Sequence, residues 1–550
     1  MAYGADGPAG RADGPAGRAD AAAGDAAKAD RRRWMALIAM AASVLVVGLD
    51  LTVLNLALPT IAVDLHASTG DLQWFSSAYS LVLAAMILPA GRLGDRYGRK
   101  RVLLVALTLF GLSSAACSYA ANTGELIGAR AVLGVGAAAI FPMSLSVIPV
   151  LFKPEERQKA IALMASATFL SFPIGPLVGG YLLDHFWWGS VFLINVPIVV
   201  LALIAVAMLL PESRSEYRPG IDITGVFISS AGLTALTYGF IDAGQNGWGD
   251  TAALATIAAG VAGLLLFVWR ERQEGPGAKP LVELGLFRSA GFTWGTLLTT
   301  LVSFAMFGLF FAAPQYFQEV RGVNAMGSGL RLLPLILGMV IGMVGSTRLA
   351  SPRKNKAEGT EKPPVASAKS LVSVGFVIMA AALAIGATTT VSSGTAFAAL
   401  WFALSGLGLG IAMPQAMNAA LGALSAERSG SGSALISAFR QVGATIGVAV
   451  LGTVLSGGYH AKLDLTGFSP ALAAEVRSSV AGGMSVARAL RDVPAFADMV
   501  RTAYVHGMDI MLWACGGIAL ASAILALIFL PRHGEAAPAG VEDMTERVQV

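Results

Sequence analysis

The chain has 550 residues, of which 55% are hydrophobic and only 13% charged, with a net charge of +4. A soluble domain carries about 25% charged residues, so these proportions exclude a soluble core. The slight cationic excess lies in short islands between apolar runs and does not point to nucleic acid.

Residues 1–33 form the first element. The segment ADGPAGR occurs at 5–11 and again at 12–18. Glycine, proline and alternating charge cannot build a core, so a disordered cytoplasmic tail is expected. No short apolar region with a cleavage site follows, which argues against a signal peptide. Arg31, Arg32 and Arg33 then abut Trp34 and mark a cytoplasmic start to the first membrane span.

Fourteen apolar runs of spanning length follow. They lie at 34–58, 72–91, 102–121, 125–151, 159–183, 190–210, 222–242, 251–269, 291–317, 326–348, 370–388, 395–417, 430–456 and 506–530. With a cytoplasmic N-terminus, the inside segments hold 27 of the 38 Lys and Arg residues and the outside segments six, five of them in one long loop. Long loops translocate regardless of charge. An even span count leaves both termini inside; five cations fall within the ranges, Arg130 and Arg440 together with Lys159, Arg331 and Arg348.

Asp50 lies in the first span, within GLDLTVLNLALPTI. A charge near the bilayer centre costs at least about 2.5–3.5 kcal/mol, so it faces the interior or a cavity. It follows Trp34 by about 24 Å of helix. Pro59 ends or kinks that helix. Between the second and third spans the chain reads GRLGDRYGRKR at 91–101. Gly91, Gly94 and Gly98 permit a tight turn, and Asp95 among the arginines is a candidate latch. Arg130, in the fourth span, approaches from the outside and reaches a depth similar to that of Asp50. A buried carboxylate whose partner changes between conformations can bind and release a proton. A permanent structural ion pair is the alternative. In the fifth span Gly175, Pro176, Gly179 and Gly180 remove bulk and bend the helix, which lets a neighbour approach closely.

The segment 270–290 reads as a cytoplasmic linker, and 349–369, rich in Lys, Pro and Ser, as a second. Phe304, Met306, Phe307, Phe310, Phe311, Gln315, Tyr316, Met413 and Gln415 cluster in the ninth and twelfth spans. A greasy pocket with a few polar handles suits amphipathic ligands; Phe307, Phe311, Gln315, Tyr316 and Gln415 are its candidates. Glu319 and Asp509 sit near span ends and read as solvated. The stretch 457–505 is an external loop with short amphipathic helices around Leu472–Val480 and Val486–Leu490. Two cysteines, Cys117 and Cys515, fall in apolar runs and read as packing residues, with no disulfide or metal site expected. The five histidines lie in loops or span ends. No metal-ligand spacing or nucleotide loop stands out, so neither a cofactor nor an enzymatic activity is expected.

LDLTVLNLALPTIAVDL at 49–65 resembles the first-helix signature of the fourteen-helix drug:proton antiporters of the major facilitator superfamily. GRLGDRYGRKR is similar to the superfamily's inter-helix loop, RAVLGVGAAAIFP to its fourth-helix arginine motif, GPLVGGYL to the helix-five antiporter motif and FLINVPI at 192–198 to the sixth-helix signature. PQYFQEVRG at 314–322 and ERSGSGSALISAFRQVGATIGVAVLG at 427–452 extend the likeness to residue 530. The resemblance implies an all-α integral membrane fold of 14 helices: a six-helix bundle at 34–210, two inserted helices and a linker at 211–290, a second six-helix bundle at 291–530 carrying the external loop 457–505, and a cytoplasmic tail at 531–550. It implies proton coupling at Asp50 and Arg130, a cytoplasmic gate at Gly91, Asp95, Arg96 and Arg99, and an export-associated bend at Gly175, Pro176, Gly179 and Gly180. The implied partners are protons, the lipid bilayer and an amphipathic small molecule, handled by a monomer in a bacterial plasma membrane. A lipid or metabolite transporter of the same fold is the alternative. Leu133 stands where the family's fourth-helix motif commonly has glutamine. Arg440 stands in the helix-13 stretch where exporters of multivalent cations place acids, which argues against dications.

The charge asymmetry makes an orientation prediction. Reporter fusions after residues 470 and 540 should report opposite sides of the membrane; matching signals would overturn the span count.

Overall fold

The computed structural model describes residues 15–214, 222–273, 282–351, 353–354, 361–362, 364–424, 429–490 and 494–531. The helices in order are α1 Pro15–Asp64, α2 Thr69–Tyr97, α3 Arg99–Ser118, α4 Thr123–Leu151, α5 Pro154–His185, α6 Ser190–Leu193, α7 Asn195–Leu209, α8 Ile223–Asn246 and α9 Thr251–Gln273. Then follow α10 Ala290–Gln315, α11 Ala325–Ala350, α12 Ala368–Gly386, α13 Thr395–Leu421, α14 Ser429–Ala461, α15 Pro470–Ser478, α16 Val480–Ala489 and α17 Pro494–Phe529. Among the described residues, 14 helices, with α6–α7 counted as one, are long and apolar enough to cross a membrane.

Polar caps start several of these helices. Ser68 and Asp71 form a reciprocal capping box at α2, and the side chains of Asn122, Asp222, Asn324 and Ser367 accept from backbone N–H groups of the first turns of α4, α8, α11 and α12. Each cap satisfies a donor that no helical carbonyl can reach.

Several boundaries differ from expectation. α1 begins at Pro15, so residues 15–33 of the supposed disordered tail are helical; the alanine-rich tract 21–27 has high helix propensity and carries the helix outward. Residues 1–14, the linker 274–281, most of 352–363 and the tail 532–550 lie outside the described residues. The segment 91–101 is helical except at Gly98, whose φ of 110° only glycine adopts without strain. The sixth span breaks at Ile194. The last span starts at Pro494 rather than near 506, which makes α17 about 54 Å long. The external loop therefore shrinks, and α15 and α16 fill it.

The packing divides into two large apolar clusters. One draws almost wholly on residues 36–210 and the other on residues 298–530. α8 and α9 pack on each other through small residues: a Cβ on Gly260 would meet the Leu236 backbone nitrogen at 2.5 Å. This pair lies beside the seam between α2 and α14. Thr453 donates to the Phe240 carbonyl at 2.7 Å, and Gln245 to the Ser68 hydroxyl at 3.2 Å.

At the bundle end that carries α15 and α16, polar contacts cross between the clusters. Asp184 accepts from the Asn324 side chain at 2.6 Å and from the Ala325 N–H at 3.1 Å. Gln318 donates to the Leu56 carbonyl at 2.8 Å, Thr69 to that of Ser478 at 2.9 Å, and Gln73 to that of Ala449 at 3.1 Å. At the opposite, cation-rich end, the ion pairs Arg33–Glu156, Arg99–Asp95 and Arg101–Glu212 stay within the first half of the chain. A disulfide between Asp184→Cys and Asn324→Cys should therefore form readily and arrest transport, with recovery on reduction. Unimpaired transport by the fully cross-linked protein would show that this seam need not open.

Candidate functional site: a buried aspartate–arginine pair

α1 and α4 bring together the two charges singled out in the sequence. Asp50 is 2% exposed and Arg130 fully buried. Arg130 Nη1 donates to Asp50 Oδ2 in a short ion pair. Neighbouring groups also contact both members of the pair. Arg130 Nε donates to the Phe75 carbonyl at 2.9 Å, and the guanidinium lies 4.5 Å from the Tyr79 ring centroid and 5.9 Å from that of Phe192. Such rings attract a desolvated cation. Asn195 Nδ2 donates to Asp50 Oδ1 at 3.4 Å and to Ser114 Oγ at 3.1 Å, and the Ser114 hydroxyl donates to the Phe192 carbonyl at 2.8 Å. Asn195 opens α7 just after the break at Ile194, so the break itself delivers the amide to the carboxylate. Leu133 is also fully buried, one turn along α4 from Arg130.

The helix-five motif forms two contacts. Gly175 and Gly179 face α1: a Cβ at Gly175 would collide with Thr52 Oγ1, and one at Gly179 would lie 2.8 Å from Val53 Cγ1. Gly180 faces α11, where a Cβ would meet Met326 Cα at 2.6 Å, and the Pro176 carbonyl abuts Gly329. The motif thus sits on the seam between the clusters, next to Asp184.

The residues of the expected gate do not reach across the clusters. Asp95 accepts from Arg99 Nη2 at 3.0 Å, and Arg99 Nη1 donates to the Ser146 carbonyl at 2.9 Å. Gly94 packs on Met143, Arg96 lies 5.5 Å from the Tyr97 ring, and space is open around Gly91. Glu212, beyond α7, accepts from the Lys100 N–H at 3.2 Å and pairs with Arg101 at 3.5 Å. These contacts brace α2, α3, α4 and α7 within one half.

The expected substrate lining is buried rather than open. Phe311, Gln315, Tyr316 and Gln415 are each at most 2% exposed, and Phe307 is half-buried between the two clusters. Gln315 donates to the Phe311 carbonyl at 2.9 Å within its own helix. The Tyr316 hydroxyl and Gln415 Nε2 are buried without a hydrogen-bond partner. The expected solvation of Glu319 fails. Glu319 is 6% exposed and paired with Arg488 of α16 at 3.1 Å, because the returning loop covers it. Asp509 lies 15 residues into α17 and is half-buried there. Cys117 and Cys515 are buried free thiols, and among the described residues no group of three or more His, Cys, Asp or Glu side chains could hold a metal.

Removing one member of a buried ion pair strands the other, at about 3–5 kcal/mol. Arg130→Gln should therefore lower the melting temperature of the purified protein sharply, and adding Asp50→Asn should restore part of it. Equal melting of Arg130→Gln and the wild type would show that the pair carries no such strain.

The chain matches the model of the Major Facilitator Superfamily over residues 40–448. It is 32% identical over 507 residues to the tetracenomycin C resistance and export protein of Streptomyces glaucescens, covering 90% of this chain and 91% of the relative. It is 33% identical over 484 residues to the multidrug efflux pump LfrA of Mycolicibacterium smegmatis, covering 87% and 92%. The fold resembles that of a bacterial homologue of the human lysosomal transporter Spinster in its inward-facing, unoccupied conformation, with a TM-score of 0.63 at 17% identity over 91% of this chain and 98% of that one. A D-xylose–proton symporter gives a TM-score of 0.58 at 13% identity, over 92% and 99%. The match along most of its length, the fourteen apolar helices and these relatives together establish that the chain belongs to the Major Facilitator Superfamily.

Proposed function

We propose that this protein exports hydrophobic or amphipathic small molecules in exchange for protons, by alternating access across a bacterial plasma membrane. Both termini lie on the cytoplasmic side and a single chain suffices. The observation that carries the reading is the Asp50–Arg130 pair: a carboxylate held deep in a membrane helix by one cation and one amide. A proton arriving at Asp50 would replace the ionic contact with Arg130, so proton occupancy and helix packing are linked. Gly175 and Gly179 pack α5 on α1, and Gly180 packs the same helix on α11. A change at Asp50 therefore has a short mechanical path to the seam.

The cross-cluster contacts gather at the end assigned to the outside, which supports an inward-facing state. The Asp95–Arg99–Ser146 network is the half of a gate that would meet the second bundle when the inner end closes. The names of the relatives support export as the direction and drugs as the cargo.

The experiment uses reconstituted vesicles with an imposed pH gradient and an amphipathic dye. Asp50→Asn keeps size and hydrogen bonding but cannot exchange a proton. It should abolish uphill transport while the dye still binds; wild-type uphill transport would place the proton path elsewhere, with Glu319 and Asp509 next in line. Asp95→Ala should leave membrane abundance near normal and lose most transport. Full transport by this well-expressed variant would remove the gate role.

A further inference from the structure

A cavity of about 880 Å³ lies away from the aspartate–arginine pair, in the cation-rich half of the bundle. α2 contributes Ala84, Ala85 and Leu88, and α14 contributes Leu435, Ala438, Phe439 and Val442. The inserted helices close the other side with Leu233 of α8 and with Leu264, Phe267 and Val268 of α9. The floor is a short 3-10 turn at 284–288, anchored by Leu286 and by edge-to-face contacts of Phe287 with Phe292 and Phe439. The walls are therefore apolar and come from both halves as well as the inserted pair.

Two cations complete the lining, Arg272 from the last turn of α9 and Arg288 from the 3-10 turn. Both are exposed, and neither has an ion pair or hydrogen bond among the described residues. The nearby acids are already engaged. Arg270 binds Asp222 at 2.5 Å, and Glu271 accepts from the Val282 N–H at 3.0 Å. Burial favours protonation of Asp222, yet the Arg270 guanidinium and the Gly225 N–H hold its carboxyl below the ordinary carboxylate range. Glu283 is the remaining described acid of the turn and is exposed. Positive charge is thus left over at the mouth of an apolar chamber.

We propose that this cavity binds an anionic phospholipid of the cytoplasmic leaflet, with one of its two acyl chains among Leu88, Leu233, Phe267 and Phe439, the other left in the bilayer, and its phosphate on Arg272 and Arg288. Basic pockets between membrane helices on the cytoplasmic side select such head groups. The volume falls in the range of small-molecule sites and accepts one acyl chain. The exporter reading enters in assigning this end of the bundle to the cytoplasm and in the alternation between inward- and outward-facing states.

The position gives the lipid a consequence. α2 and α14 are held together by Gln73 at one end, and both line the cavity at the other. Closing the inner end would bring them together there and expel the chain. A ligand that fits one of two conformations shifts the population toward it, so the lipid acts as a wedge that favours the inward-facing state.

The test is native mass spectrometry of the purified full-length protein with phosphatidylglycerol or phosphatidylcholine of the same acyl chains. The wild type should retain phosphatidylglycerol preferentially. Arg272→Gln with Arg288→Gln should lose about thirtyfold in that affinity while phosphatidylcholine binding stays unchanged. Ala438→Phe, which fills the chamber, should weaken both lipids. Inorganic phosphate should not compete, because the chain supplies the affinity; competition would instead mark a plain anion site. Cross-linking between Asp184→Cys and Asn324→Cys should run further in phosphatidylglycerol, and the double arginine variant should erase that difference. Equal retention of the two lipids by the wild type, or phosphatidylglycerol binding untouched in the double variant, would overturn the proposal. Neither readout uses a proton gradient or a transported substrate, so failure of the exporter reading would show separately, in the vesicle assay.

Discussion

A carboxylate inside a bilayer must be neutralised, by a proton or by a partner. That requirement organises the first half of this transporter. Asp50 reaches its position because α1 carries it well into the membrane, and Arg130 meets it because α4 enters from the other face. The rest of the pocket exists to hold these two groups: the Phe75 carbonyl, the Tyr79 ring, and the Asn195 amide delivered by a broken sixth span. Charge pairs in low dielectric are strong when matched and unfavourable when broken. The pair is therefore a natural place to store a choice between two packings.

The second constraint is steric. The seam between the halves is built where side chains are missing. Gly180 and Gly329 allow α5 and α11 to touch backbone to backbone. Small residues give membrane helices a close contact that lipid cannot match. A glycine seam has little side-chain interlocking to undo, which suits a surface that must part and re-form. Asp184 adds a polar catch at the end that carries α15 and α16, shared among Asn324 and the N–H groups of Ala325 and Met326. One helix, α5, thus carries both the contact to the Asp50 helix and the contact across the seam.

Much of this was legible in the chain. Apolar run length and cation placement identified fourteen spans, and depth counting put Asp50 and Arg130 at a similar depth. The glycine pattern of α5 announced close packing, though not which neighbour each glycine meets. What escaped the sequence was long-range. Asn195 lies within a stretch resembling the sixth-helix signature, but nothing local says that its amide turns toward Asp50. Glu319 looked solvated because only the fold shows α16 returning Arg488 to cover it. The start of α1 was missed because glycine and proline repeats masked a good helix-forming tract. The chamber beside α8 and α9 is assembled from five separate segments, and no single one of them signals it.

The central claim is that the charge state of Asp50 decides which end of the bundle is closed. It is tested most directly by spin labels at the exposed positions Tyr119 and Ser392, in the outer ends of the two halves. Their distance distribution would be measured by pulsed electron resonance at mildly alkaline and mildly acidic pH. The account predicts that the wild type shifts between a short and a long distance with pH. Asp50→Asn should stay in one distribution throughout. A pH-driven shift of the same size in Asp50→Asn would contradict the account.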